Sequence, residues 1–302
     1  MDKECLQAIV QELCRRCDFD IVQAAEEEML QEEMGRAVRR KDSKAIFNWL
    51  MHPASYQGIS DSIANGYIED HGNITYLRIS RALNKTKIKC HKLSGFEKFS
   101  TCGFSKKHKT CNNPTMLPNC PVPTHTLRNG RLNMMAYSMY FFIIDVCKKD
   151  LVGFIDGILE QDKPATQKRD EFVKEFSRVY GMQGKIINMT FSTVFLGLGS
   201  IKPGWKELGY VSIAVDTLVH NFLHRTGILD YYNMNHNIGA CYGKNGCLRV
   251  IEDLAELVDC STFSPSYPQY FPRFVQLSIW MFCSEAGENI CNGRQIDDSG
   301  PC

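Results

Sequence analysis

Strand-forming patterns are scarce in this chain of 302 residues. There is no series of alternating Val, Ile and Thr runs and there are few hairpin dipeptides, which argues against a fold built on a sheet. A long apolar run is also missing. The longest, Met134 to Cys147, contains Asp145 and falls short of the roughly 20 residues a membrane span needs, so no membrane partner is expected. The start, Met1-Asp2-Lys3-Glu4-Cys5, lacks a basic segment followed by an apolar core. No signal peptide is therefore expected, and the expected location is cytoplasmic, with the nucleoid, or otherwise intracellular. Internal repeats and low-complexity segments are absent. Net charge is nearly absent too, at +1, but this balance hides an asymmetry. Arg81 to Arg131 holds eleven Lys and Arg residues against one acid, Glu97, a local charge of +10. Such a segment suits an anionic partner on one face, or a solvated lysine-rich surface.

What is present is an ordinary globular composition. Hydrophobic residues make up 44% and charged residues 23%, which excludes disorder over most of the length. Helical spacing dominates. Cys5, Ile9, Val10 and Leu13 share a face, Ala24 to Arg40 is rich in helix formers, and Ala45 to Met51 reads as a short helix stopped by Pro53. Arg131 to Cys147 is apolar nearly all round, which places it at the centre of a protein. The fold class read from these patterns is all-α. The 14 cysteines are many. Without a secretory signal they read as reduced thiols or metal ligands. Cys90, Cys102, Cys111 and Cys120 lie in a long irregular stretch, Cys90 to Pro123, and are candidate ligands of a metal pin. Their intervals of eleven, eight and eight residues match no compact zinc-finger spacing, and buried free thiols are the alternative. Cys283, Cys291 and Cys302 form a second candidate set near the end.

The stretch from Val179 to Ile228 carries the clearest chemistry. Val179-Tyr-Gly-Met-Gln-Gly-Lys185 reads as a tight turn between two helices, with Gly181 supplying an unusual backbone conformation and Lys185 in the first turn that follows. The positive helix end there disfavours a protonated amine, which is one route to a nucleophilic lysine. Asp216 opens a second helix with Leu218, Val219, Phe222 and Leu223 at helical spacing, and Gly227 stops it. From helix physics alone, an ordinary aspartate N-cap worth about 1 kcal/mol accounts for Asp216. His220 and His224, at i and i+4, offer a metal pair. No Glu lies between them, which argues against a zincin, and ordinary buried or surface histidines are the alternative.

These two segments resemble signature elements of the HhH-GPD superfamily of DNA base-excision glycosylases. Val179 to Lys185 is similar to its helix-hairpin-helix pattern Leu-Pro-Gly-Val-Gly-x-Lys. Gly181 and Lys185 match, Tyr180 replaces the proline, and Gln183 replaces the second glycine, with Gly184 displaced by one. Val215 to Gly227 resembles Val-Asp-Thr-His-Val-x-Arg-Val-x-x-Arg-Leu-Gly. Val215, Asp216, Thr217, Val219, Arg225 and Gly227 match, whereas Leu218 and Asn221 depart. Lys185 and Asp216 are 31 apart, longer than in the endonuclease III branch and comparable to archaeal 8-oxoguanine glycosylases, with the Gly197 to Gly209 segment and its Trp205 filling the interval. The likeness covers about 50 residues well.

The resemblance implies an all-helical, two-lobed fold. The expected division puts residues 1–50 and 229–302 in one lobe and 51–228, with the hairpin (179–191) and the aspartate helix (216–227), in the other. It implies a DNA glycosylase with AP-lyase activity acting, as a monomer, on a base flipped out of double-stranded DNA. Lys185 would attack the sugar C1′ and Asp216 would take its proton and stabilise the developing positive charge. Gly181, Gln183, Gly184 and the basic Lys106, Lys107, Arg128 and Arg131 would hold phosphates, and Tyr56 or Gln57 would fill the gap left by the base. An oxidised purine or a modified pyrimidine would be the target. Part of this family carries an iron–sulfur cluster, whose close four-cysteine spacing Cys283, Cys291 and Cys302 do not reproduce. A cluster here would need Cys241, Cys247 or Cys260 as well. Zinc is the other candidate cofactor. A non-catalytic helix-hairpin-helix DNA-binding protein and a metal-pinned interaction module are the rival readings.

Overall fold

A computed structural model of the protein describes residues 2–56, 61–85, 90–104, 111, 115, 120–122, 130–284 and 287–288. Among them every regular element is helical and there is no strand. In chain order the α-helices are α1 (Lys3–Arg16), α2 (Ile21–Gln31), α3 (Met34–Arg39), α4 (Ser43–Ser55), α5 (Asp61–His71), α6 (Tyr76–Lys85), α7 (Phe96–Ser100) and α8 (Gly130–Phe141). They continue with α9 (Leu151–Leu159), α10 (Ala165–Phe176), α11 (Gly184–Gly197), α12 (Pro203–Val211), α13 (Thr217–Arg225), α14 (Ile228–Tyr231), α15 (Cys247–Ala255) and α16 (Pro272–Cys283). No helix is long and apolar enough to cross a membrane among the described residues.

The chain divides into two compact units. One joins Met1–Met29 to Gly184–Cys302, and the other is Leu30–Gln183. The boundaries therefore lie at 29/30 and 183/184, not at the 50/51 and 228/229 read from the sequence. The physical reason is in the packing: α3 and α4 pack on each other in the second unit, and α11, α12 and α13 pack in the first.

In the first unit, α16 is central and packs against α1, α12, α13 and α15. The buried face of α1 is Leu6, Val10, Leu13 and Cys14; Val10 and Leu13 are where the spacing predicts, but Cys5 is exposed and Ile9 only partly buried, so the face is turned from the expected one. Val219, Phe222 and Leu223 of α13, Val250, Ile251 and Leu254 of α15, and Phe274, Val275 and Ile279 of α16 complete this core. Trp205 of α12 is buried against Phe195 of α11, with ring centroids 5.5 Å apart. Helix α11 also approaches α2 closely: a Cβ on Gly197 would lie 2.2 Å from the Ala25 carbonyl oxygen.

In the second unit, α8 is the core helix that its all-round apolarity predicts, with Met134 to Phe142 buried. Its end, Phe142–Val146, widens into a π-helical turn. The charge inside this apolar run has a use: Asp145 Oδ2 accepts from the Phe96 amide at 2.6 Å and so caps α7. Phe142, Phe154, Phe172 and Phe176 pack as an aromatic cluster that attaches α9 and α10. Two local expectations need correction. Ala24 to Arg40 is not one helix, because the backbone breaks at Glu33, whose φ is +51°. Pro53 does not stop α4, which starts at its Asp42 cap and runs to Ser55; the proline lies in its last turn.

Candidate functional site

The turn before α11 has the conformation its glycine predicts. Gly181 has φ +77°, and the Met182 amide closes the turn on the Val179 carbonyl at 3.0 Å. A Cβ there would also meet Met135 Cε at 3.1 Å. Gln183 and Lys185 are exposed, and the Lys185 side chain has no ion pair or hydrogen bond among the described residues. Gly184, the first residue of α11, lies hard against the ring of Tyr242, where a Cβ would come within 2.7 Å of Cδ1.

Asp216 is the N-cap of α13, as its place before an amphipathic run predicts. One carboxylate oxygen accepts from the Val219 amide at 3.1 Å, and the other accepts from Trp280 Nε1 at 3.0 Å. Gly227 follows the helix in the left-handed conformation, with φ +73°. Arg273, at the start of α16, lies within electrostatic reach of Asp216 and Tyr242. Burial draws its guanidinium down to about 10 in pKa, against the opposing pull of Tyr242 and Asp216. Its Nη1 donates to Gln276 Oε1, which also accepts from the Ala214 amide.

Tyr242 ties these elements together. Its hydroxyl accepts from the Val215 amide at 2.7 Å while its ring packs on Gly184. One side chain therefore touches the residue before Lys185 and the residue before Asp216. Burial pushes the Tyr242 hydroxyl pKa upward, so it stays a neutral donor and acceptor.

Next to Tyr242 lies a group of four potential ligands that could hold a metal ion: His220, His236, Cys241 and Cys247. Their donor atoms all lie within 4.8 Å of one another. His220 Nδ1 is 3.3 Å from Cys247 Sγ and 3.4 Å from Cys241 Sγ, and Cys247 Sγ is 3.3 Å from His236 Nε2. A tetrahedral zinc with ordinary zinc–sulfur and zinc–nitrogen bonds has sulfur–nitrogen edges of about 3.5 Å, so the donors are spaced for one ion. His236 is also oriented from behind, because its Nδ1 lies 2.6 Å from the Met234 carbonyl and, as a donor there, leaves the Nε2 lone pair for the centre. The Cys241 thiol is held down at about 5, first by its hydrogen bond with Cys247 and then by His220 and His236, while Cys247, which supplies that bond, is pushed up.

Helix α13 carries His220 one turn after Asp216. Its other histidine, His224, is not in the group, so the i, i+4 pair supplies one ligand and not two. His236 and Cys241 come from the turns between α14 and α15, and Cys247 is the first residue of α15. The signal that could have found them is three ligand residues in twelve positions, set among Gly239, Gly243 and Gly246, beyond a helix that already carries a histidine. Cys283 and Cys260 are buried outside the group, so neither joins Cys241 and Cys247 in one ligand set. Cys291 and Cys302 lie outside the described residues, as do Gln57, Lys106, Lys107 and Arg128. Arg131 is in α8, with its side chain outside the described residues. Tyr56, at the end of α4, donates its hydroxyl to Asn65 Oδ1 at 2.6 Å. Comparison with known protein families, with curated proteins and with solved structures gives no match for the chain.

Proposed function

We propose that the protein is a DNA N-glycosylase with AP-lyase activity, a divergent relative of the HhH-GPD enzymes, in which Lys185 is the nucleophile and Asp216 its partner. The observation that carries this reading is Tyr242, which contacts both Gly184 and Val215 and so couples the start of the lysine helix to the start of the aspartate helix. In the reaction, the Lys185 amine attacks C1′ of a nucleotide whose base is out of the stack. The bond from C1′ to the base breaks, and its electron pair leaves with the base. Asp216 accepts the proton lost from the lysine and stabilises positive charge on the sugar. The covalent imine that remains makes the 3′ phosphate a leaving group, which breaks the strand. Amides and side chains at Gly181, Gln183 and Gly184 hold phosphates.

The His220, His236, Cys241 and Cys247 group holds zinc in this proposal. Two imidazoles and two thiolates give a closed, neutral site of the structural kind, and a cage drawn to one point has room for an ion and not for an iron–sulfur cluster. The ion would fix the Cys241–Tyr242 turn against α13.

A second reading has its own support. Both carboxylate oxygens of Asp216 already have partners, and Lys185 is exposed. These features suit a non-catalytic module that contacts phosphates. The two readings separate on duplexes bearing oxidised purines or modified pyrimidines, incubated with protein and borohydride. Base release with a trapped adduct that disappears in Lys185→Ala supports the enzyme. Salt-dependent DNA binding without base release or adduct on any substrate supports the module.

A further inference from the structure

Among the described residues, His220, His236, Cys241 and Cys247 are the single set of ligands that converges; Cys90, Cys102, Cys111 and Cys120 are each half-buried and outside it. The converging set lies in the first unit, as do Lys185 and Asp216, and short links join the two. His220 is one turn into α13, and its amide donates to the Asp216 carbonyl at 3.0 Å. Cys241 directly precedes Tyr242. The Leu248 amide, next to Cys247, donates to the Cys241 carbonyl at 3.0 Å. Gly246 approaches the same carbonyl so closely that a Cβ on it would lie 2.3 Å from the oxygen. The chain from Cys241 to Cys247 is therefore a small closed loop with both sulfurs at its neck, and Tyr242 is its first residue after the neck.

Tyr242 carries the state of this loop outward. Its hydroxyl accepts from the Val215 amide at 2.7 Å, and its ring covers Gly184, the residue before Lys185. The remaining backbone bonds of the loop are local turns: the Gly243 amide to the Ala240 carbonyl at 2.8 Å and the Gly246 amide to the Gly243 carbonyl at 3.1 Å. Gly239, Gly243 and Gly246 give the opened loop a large chain entropy. An ion held by four donors within 4.8 Å of one another opposes that opening, because the free energy of binding a structural metal is also the free energy of ordering its ligands. The closed loop that zinc selects is the one in which Tyr242 spans Gly184 and Val215.

We propose that zinc in the His220 group is coupled to DNA binding at the starts of α11 and α13, with Tyr242 as the coupling residue, so that the protein engages DNA according to its zinc occupancy. This coupling rests on the DNA-binding reading above, which the enzyme and the non-catalytic module share. The closed site offers DNA no contact of its own with the ion, so the effect passes through the loop. Coupling is reciprocal: the factor by which zinc raises affinity for DNA is the factor by which DNA raises affinity for zinc. Coupled sites differ by about 5- to 150-fold in general, and about tenfold is expected here. On binding, any thiol proton still on Cys241 or Cys247 passes to solvent as the zinc–sulfur bonds form.

Two measurements on the full zinc-loaded chain test this at fixed pH. The first is zinc release to an excess of chromogenic chelator, with and without a duplex carrying a tetrahydrofuran abasic analogue. The duplex should slow release about tenfold in the wild type and leave it unchanged in Tyr242→Ala, which keeps all four ligands. The wild-type result stands even where Tyr242→Ala fails to fold. The second is hydrogen exchange at the Val215 amide without DNA, well below melting. Exchange should quicken about tenfold when the zinc is removed and slow again when it is returned. A chain that purifies without zinc and takes up none overturns the proposal. So does a duplex that binds and leaves zinc release unchanged, an outcome that spares the DNA-binding reading. A slowing that persists in Tyr242→Ala overturns the role of Tyr242. A zinc-loaded protein that binds no duplex overturns the coupling and the DNA-binding reading together.

Discussion

At the scale of single residues, Lys185 and Asp216 differ in what they contribute to the fold. Lys185 is exposed and its side chain has no partner among the described residues, so Lys185→Ala should change unfolding free energy by no more than about 0.5 kcal/mol, measured by urea titration, while eliminating base release. Asp216→Ala removes a helix cap and leaves Trp280 Nε1 without its acceptor, and should cost about 2 kcal/mol or more. Asp216→Asn keeps an N-cap oxygen and should cost clearly less in the same titration, yet lose activity. Equal stability losses for the two Asp216 variants would contradict the capping account. Both residues were legible in the sequence, because caps and turns are local: Gly181, Asp216 and Gly227 each sit where a short-range rule puts them. The partners of Asp216 were not legible. Trp280, which holds one of its oxygens, lies on α16 more than fifty residues on, and no spacing rule links it to a helix start.

At the scale of elements, close approaches matter most. In an exposed helix Gly→Ala stabilises by roughly 1 kcal/mol. At Gly197 the sign should reverse, because a Cβ would collide with backbone at Ala25, and a loss of about 1–3 kcal/mol is expected. Thermal or chemical denaturation of Gly197→Ala checks this; a stabilised variant would show that α2 and α11 are not in contact. Tyr242→Phe keeps the ring on Gly184 and removes the acceptor of the buried Val215 amide. It should lower stability by about 1–2 kcal/mol and reduce base release more than Gly197→Ala does at matched temperature below melting. The helical elements themselves were largely readable from apolar spacing. The break at Glu33 and the passage of α4 through Pro53 were not, because a glutamate in the left-handed conformation carries no turn signature and a proline can stand in the last turn of a helix.

For the whole molecule, the two compact units differ from the division that the sequence suggests, since unit boundaries are set by long-range packing and not by composition. The group of His220, His236, Cys241 and Cys247 shows the same limit. His220 lies on a recognisable helix and Cys247 opens another, but His236 and Cys241 reach them through irregular turns. Their assembly should make folding of the first unit metal-dependent. Treatment with a strong chelator should lower its melting temperature, and zinc should restore it, since binding to the native state alone adds stability. An unchanged melting curve in a protein shown to have lost its metal would mean the group does not support the fold.

The account depends most on the chemical role of Lys185. The most direct measurement is peptide mapping by mass spectrometry of the borohydride-reduced protein–DNA adduct formed on a lesion-bearing duplex. The account predicts a sugar remnant on the peptide containing Lys185, at that side chain. An adduct on a different lysine or on the N-terminal amine, or base release with no adduct at all, would contradict it.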